Sequence, residues 1–114
     1  MTSGNANVID AIGDTPMIEL KNIVPVNSDR VIAKLESANP TGSMKDRMAK
    51  AVIEGAEKRG LIKRGSTIVE YTAGTTGISL AFVCASLGYN FHAVFSDAFS
   101  NEKRITMKAF GAIE

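Results

Sequence analysis

The segment ISLAFVCASL, Ile78 to Leu87, is apolar on almost every helical face and is bounded by the turn TAGTTG and by Gly88. A helix with no polar side needs cover in several directions, so this stretch dictates a fold in which other elements surround it. It is about half as long as a bilayer span requires, which leaves a buried core helix as its reading. The flanking residues supply the cover. Ser66–Tyr71 (STIVEY) and Phe91–Phe95 (FHAVF) read as short strands, and Ser100 caps a last helix through NEKRITMKAFG. Upstream, Met17–Leu20 and Arg30–Leu35 read as strands on either side of a loop in which Pro25 excludes a helix.

Ser43 opens a further helix, which Gly60 stops. Ser43 with Asp46 matches a capping box in which Asp replaces the usual Glu. Met44, Met48, Ala51, Val52, Gly55 and Ala56 recur at helical spacing and are expected to form the buried face. Strand and helix therefore alternate, which predicts an α/β fold: a mostly parallel sheet with helices on its faces, a three-layer sandwich joined by right-handed crossovers. Ligands in such sheets bind beyond the carboxyl ends of the strands, where the loops ANPTGSMK and YTAGTTG both lie.

Composition narrows the function classes. The 114 residues amount to one small domain. Thirteen basic and twelve acidic residues give a net charge of +1, no field for nucleic acid or an anionic membrane. A single cysteine, Cys84, forms no internal disulfide and suits a reducing, cytoplasmic setting. The start, MTSGNANV, has neither the basic nor the apolar part of a secretory signal. Cys84 lies in the apolar helix and is expected to be a buried structural thiol. His92 has no second His or Cys beside it, so no metal site is expected. Lys58, Arg59, Lys63 and Arg64 flank a helix end, where cations complement the dipole. Asp97 and Ser100 follow a strand end and are candidates to line the cleft.

Two loops carry chemistry. TAGTTG follows a strand and opens a helix, so its backbone amides point outward at a positive helix end, with Gly74 and Gly77 allowing close approach and Thr72, Thr75 and Thr76 offering hydroxyls. Such a site takes a carboxylate or phosphate, although a turn that merely caps a helix has the same composition. It is neither GxGxxG nor GxxxxGK[ST], so nucleotide binding is unsupported. Lys45 sits at a helix start, where a cation is electrostatically misplaced, a placement that suits an amine nucleophile. A solvated lysine at a helix start is the competing reading, and the neighbouring charge of Asp46 partly offsets the effect.

Together the loops are more specific. DAIGDTPMIEL, LESANPTGSMKDRMA and VEYTAGTTGISLAFVCASLGY resemble the N-terminal portion of the cysteine synthase / cystathionine β-synthase family, pyridoxal-phosphate enzymes of the tryptophan-synthase-β-like fold. The resemblance runs from about Asp10 to Glu114. It implies that Lys45 matches the Schiff-base lysine for pyridoxal 5'-phosphate. It also implies that Thr72, Ala73, Gly74, Thr76 and Gly77 form the loop gripping the substrate carboxylate, with Thr75 contacting the cofactor. The implied activity is β-replacement or β-elimination on a serine- or cysteine-type amino acid, as in cysteine formation from O-acetylserine and sulfide. Two residues depart from the family loop T-S-G-N-T-G: Ala73 replaces Ser, and Thr75 replaces Asn, with a hydroxyl in place of the longer amide. The tail SDAFSNEKRITMKAFGA looks closer to a subgroup that includes cysteine desulfhydrases.

Family members are much longer, and their glycine-rich phosphate cup and the residue facing the pyridine nitrogen fall beyond residue 114. The resemblance thus implies a truncated or partial enzyme. Residues 1–38 would belong to a larger domain and 39–114 would form the smaller α/β domain, with a homodimer as the full-length assembly. The rival from another class is a non-catalytic module that keeps the anion-binding loop.

Overall fold

The computed structural model describes residues 7–72 and 74–114. At its centre lies helix α2 (Thr75–Leu87), whose Gly77, Ser79, Leu80, Ala81, Val83 and Cys84 are all buried. These positions cover rather more than half of the helix circumference, so the helix needs partners on several sides, while Ala85 on the remaining side is exposed. It packs against helix α1 (Lys45–Lys58), helix α3 (Asn101–Ala109), strands β3 (Thr67–Tyr71) and β4 (Asn90–Val94), and the 3-10 turn Val8–Ala11. Ile9 and Ile12 from that turn join Ala49, Ile53, Leu80, Val83, Phe91 and Met107 in one core. Gly88 ends α2 with a φ of 82°, the left-handed conformation a helix stop requires.

Strands β3 and β4 pair in parallel, Thr67 opposite Asn90 and Tyr71 opposite Val94, with α2 as the crossover. After α3 the chain returns in the same sense, and Ile113 bridges to His92 along β4. The α/β class with a parallel sheet therefore holds. Among the described residues the helices lie against one face of this sheet, and Val69, Tyr71 and Val94 on the other are 61%, 65% and 49% exposed.

Strands β1 (Met17–Leu20) and β2 (Val31–Lys34) form a separate antiparallel pair, with Met17 opposite Lys34 and Leu20 opposite Val31. The alternation read from the sequence had set Arg30–Leu35 in the parallel sheet, while Met17–Leu20 stood before it. The link between them explains the difference. Parallel neighbours need a crossover of about a dozen or more residues, usually a helix, whereas residues 21–30 link β1 to β2 as a helix-free loop that turns where the Ser28 amide meets the Pro25 carbonyl at 3.0 Å.

Helix α1 departs from its sequence reading in two respects. Ser43 Oγ accepts the amide of Lys45 at 3.1 Å, but the expected box with Asp46 does not form. Asp46 is fully buried and turned toward Thr41 and Ser79 instead. A capping box does occur at the 3-10 turn, between Asn7 and Asp10. The expected apolar stripe also lies on the wrong side: Asp46, Ala49 and Ile53 are the buried residues of α1, while Met44 and Val52 are 59% and 52% exposed. On a helical wheel the two sets are roughly opposite. Asp46 thus shares the inward face with Ala49 and Ile53, and its hydrogen bonds to Thr41 and Ser79 are compatible only with this rotation of α1.

Candidate active site

The carboxyl end of β3 leads directly into α2, and there the geometry concentrates. Thr72 is buried, with its amide bonded to the Val94 carbonyl at 2.9 Å. Its Oγ1 accepts the amides of Gly77 at 2.9 Å and Gly74 at 3.3 Å. With both lone pairs engaged, the hydroxyl is left as a donor. Thr75 and Thr76, the first residues of α2, have amides with no acceptor inside the helix, and none appears among the described residues. A cleft of about 320 Å³ opens here, lined by Glu70, Tyr71, Thr72, Gly74, Thr75, Thr76 and Lys103.

Of the residues proposed from sequence, the structure gathers Thr72, Gly74, Thr75 and Thr76 along this cleft. Gly77 is buried behind it. A Cβ there would meet Met107 Sδ and Thr72 Cγ2 at 2.5 Å each, so its bare backbone makes room for those side chains. Ala73 lies outside the described residues. Lys45 is the half-buried first residue of α1 and is not among the lining residues of the cleft. Its chain neighbour reaches α2: Asp46 Oδ1 accepts Ser79 Oγ at 2.6 Å.

Sequence reading missed Lys103. This half-buried residue of α3 packs over the loop, and its Nζ would stand 2.7 Å from a Cβ at Gly74. No carboxylate pairs with it among the described residues, unlike Arg104 and Lys108, which hold Glu114. A lysine in a polar, helix-forming stretch gives no sign of this role. The only signal available was that α3 must start near the strand end where the β3 loop lies. Asp97 lines a different hollow with Phe95, Arg104 and Glu114. Ser100 occupies the N-cap of α3 without a side-chain bond, a correction to its expected capping role.

The other residues singled out from sequence lie away from this cleft. Cys84 is 1% exposed and burial pushes its thiol up to about 11, far from a thiolate at neutral pH. The cations after α1 are exposed, and Arg59 Nε donates to the Gly55 carbonyl at 3.1 Å, as a residue complementing a helix end does. No cluster of three potential metal ligands occurs among the described residues. No helix among them is long and apolar enough to cross a membrane.

A lysine at one helix start and a cleft at another, set in this α/β frame, can be compared with known proteins. Residues 8–113 match the family described as pyridoxal-phosphate dependent enzyme. The chain belongs to this family. It is 51% identical over 106 residues to a cysteine synthase of Staphylococcus aureus, covering 93% of this chain and 34% of that protein. The crystal structure of an O-ureido-L-serine synthase superposes with a TM-score of 0.90 at 46% identity, covering 94% of this chain and 34% of the other. A hydrogen sulfide-producing enzyme from Fusobacterium nucleatum also superposes at 0.90, with 41% identity, 99% of this chain and 37% of that one. The chain thus spans about one third of the length of these relatives.

The described residues fit the family's cofactor at its reactive end. Lys45 supplies a half-buried amine without a side-chain hydrogen bond among the described residues. The uncommitted amides of Thr75 and Thr76, with Lys103 beside them, supply donors for an acidic group.

Proposed function

We propose that this chain is the lysine- and carboxylate-bearing part of a pyridoxal-phosphate enzyme of the cysteine synthase type. It would carry out β-replacement on a serine-type amino acid such as O-acetylserine, with sulfide as the incoming nucleophile. The observation that carries the reading is the pairing of two sites: Lys45 at the start of α1, and the cleft at the start of α2 with its uncommitted amides. The two are tied by the Asp46–Ser79 hydrogen bond. Family membership and the 51% identity to a cysteine synthase support it.

In this reading Lys45 holds pyridoxal 5'-phosphate through Nζ, and Thr75 contacts it. When bound, the cofactor supplies an electron sink for charge developing at the substrate Cα. The chain's own residues do the rest. The amides of Thr75 and Thr76 and the hydroxyls of Thr72 and Thr76 receive the substrate carboxylate, helped by the helix dipole and by Lys103. Gly74 shapes that turn and Gly77 lets Thr72 seat beneath it, while Ala73 belongs to the same proposed loop by the sequence resemblance alone. Lys45 Nζ, once freed, would take the proton from Cα.

A second reading, β-elimination releasing sulfide from a cysteine-type substrate, is favoured by the likeness to the hydrogen sulfide-producing enzyme. The division at residues 38 and 39 into a segment of a larger domain and a smaller catalytic domain belongs to the same proposal. So do the cytoplasmic setting and a homodimeric assembly. The exposed β1–β2 pair supports that division, since neither strand has a buried residue.

The test is to incubate the chain with pyridoxal phosphate, reduce with borohydride and map the adduct. Lys45 is expected to carry most of it, and Lys45→Ala to abolish that peak and the visible cofactor band. Equal adducts on scattered lysines would favour a non-catalytic anion-binding module instead.

A further inference from the structure

We infer that Asp46 is a positioning residue: its buried carboxylate clasps the loop before Lys45 to helix α2, so that the lysine and the carboxylate-binding turn are held as one unit. This rests on the role proposed for Lys45. The geometry is specific. Asp46 is fully buried, yet no Lys or Arg pairs with it among the described residues. Its charge is met by hydrogen bonds: Oδ2 accepts the Thr41 amide at 2.8 Å, and Oδ1 accepts the Thr41 hydroxyl at 2.5 Å and the Ser79 hydroxyl at 2.6 Å. It also lies in the first turn of α1, where the helix dipole favours an anion.

A buried carboxylate satisfied only by hydroxyls and an amide is held by short, directional bonds, and each donor is confined in turn. Thr41 lies in the loop entering α1. Ser79 lies one turn into α2, behind the residues whose amides face the cleft. A single acid therefore joins three segments: the loop, the helix start that carries Lys45, and the helix start that carries Thr75 and Thr76. Thr41 Oγ1 and Ser79 Oγ stand 3.5 Å apart, each with its one proton committed to the same carboxylate oxygen. On a helix, consecutive side chains diverge by about 100°, so anchoring Asp46 inward aims Lys45 away from the core, toward a different side of α1.

The experiment uses Ser79→Ala, Thr41→Val and the conservative Thr41→Ser, because Asp46 variants risk unfolding. Amide hydrogen exchange across residues 41–47 and the Lys45 share of borohydride-trapped pyridoxal phosphate are both measured. Loss of a hydrogen bond to a buried charge is expected to speed exchange in 41–47 by roughly tenfold in Ser79→Ala and Thr41→Val. Exchange in β3 and β4 should be unchanged, and the Lys45 share should fall several-fold; Thr41→Ser should restore both. Unchanged exchange in 41–47, or equal acceleration throughout the chain, would overturn the clasp. Faster exchange with an undiminished Lys45 share would overturn its positioning role. Unselective trapping in the unaltered chain would instead defeat the cofactor reading, leaving the exchange data to decide on the clasp.

Discussion

At Glu36, in the 3-10 turn Glu36–Ala38, several donors converge: Arg47 Nε at 2.9 Å, Arg47 Nη2 at 3.1 Å, the Thr15 hydroxyl at 2.5 Å and Asn39 Nδ2 at 2.9 Å. Arg47 foremost, then Thr15, holds this carboxyl down to about 2 from an ordinary 4.5. Because the folded state binds this proton more weakly than the unfolded chain, the stabilisation is complete above about pH 4.5 and is lost as pH falls toward 2. Acid unfolding of the chain and of Glu36→Gln, followed by circular dichroism, should therefore diverge most above pH 4.5 and converge near pH 2. The site residues allow a second test at this scale. Thr75→Asn lengthens the one hydroxyl that departs from the family loop. It should be tolerated and should tighten cofactor binding in an absorbance titration; loss of binding would place Thr75 away from the cofactor.

Elements were legible where backbone chemistry speaks locally. The glycine stops after α1 and α2, the apolar run of α2 and the short β3 and β4 strands all leave marks within a few residues. What was not legible depends on long-range partners. Asp46 reads locally as a cap, because nothing in the sequence of α1 announces that Ser79 will face it. The one hint was Ser79, a buried polar residue in the middle of a largely apolar helix. The outward stripe of Met44 and Val52 misled for the same reason: periodicity identifies a face but not which way it turns. Gly77 makes the packing at this scale testable. Its missing Cβ is the space occupied by Thr72 and Met107, and an added methyl at 2.5 Å from both forces a shift in a tight core. Gly77→Ala is expected to destabilise the chain by about 1–3 kcal/mol in urea unfolding, despite the better helix propensity of alanine. Gly55→Ala, with nothing within 4 Å, should instead stabilise by up to about 1 kcal/mol.

For the whole molecule, the question is what the uncovered apolar surface does. The chain buries a core around α2, yet Val69, Tyr71 and Val94 stand exposed on the far side of the parallel sheet. On the β1–β2 pair Met17, Ile18, Val31 and Ile32 are between 41% and 66% exposed. Exposed apolar surface of this kind on a small chain marks a place where other protein packs, and a sheet with one helical layer leaves its open face for such packing. The relatives are about three times longer, so this surface is expected to be sticky whenever the 114-residue stretch stands alone. Replacing Val69 and Val94 with threonine keeps β-branched side chains on the strands while adding a hydroxyl to each, so strand propensity is preserved. The double variant should bind less of a hydrophobic dye and sediment as a smaller species than the unaltered chain at high concentration. Its melting temperature should move little, because neither valine contributes to the core. Unchanged dye binding and self-association would shift the sticky surface to the β1–β2 pair, where Ile18→Thr and Ile32→Thr would then produce the same relief.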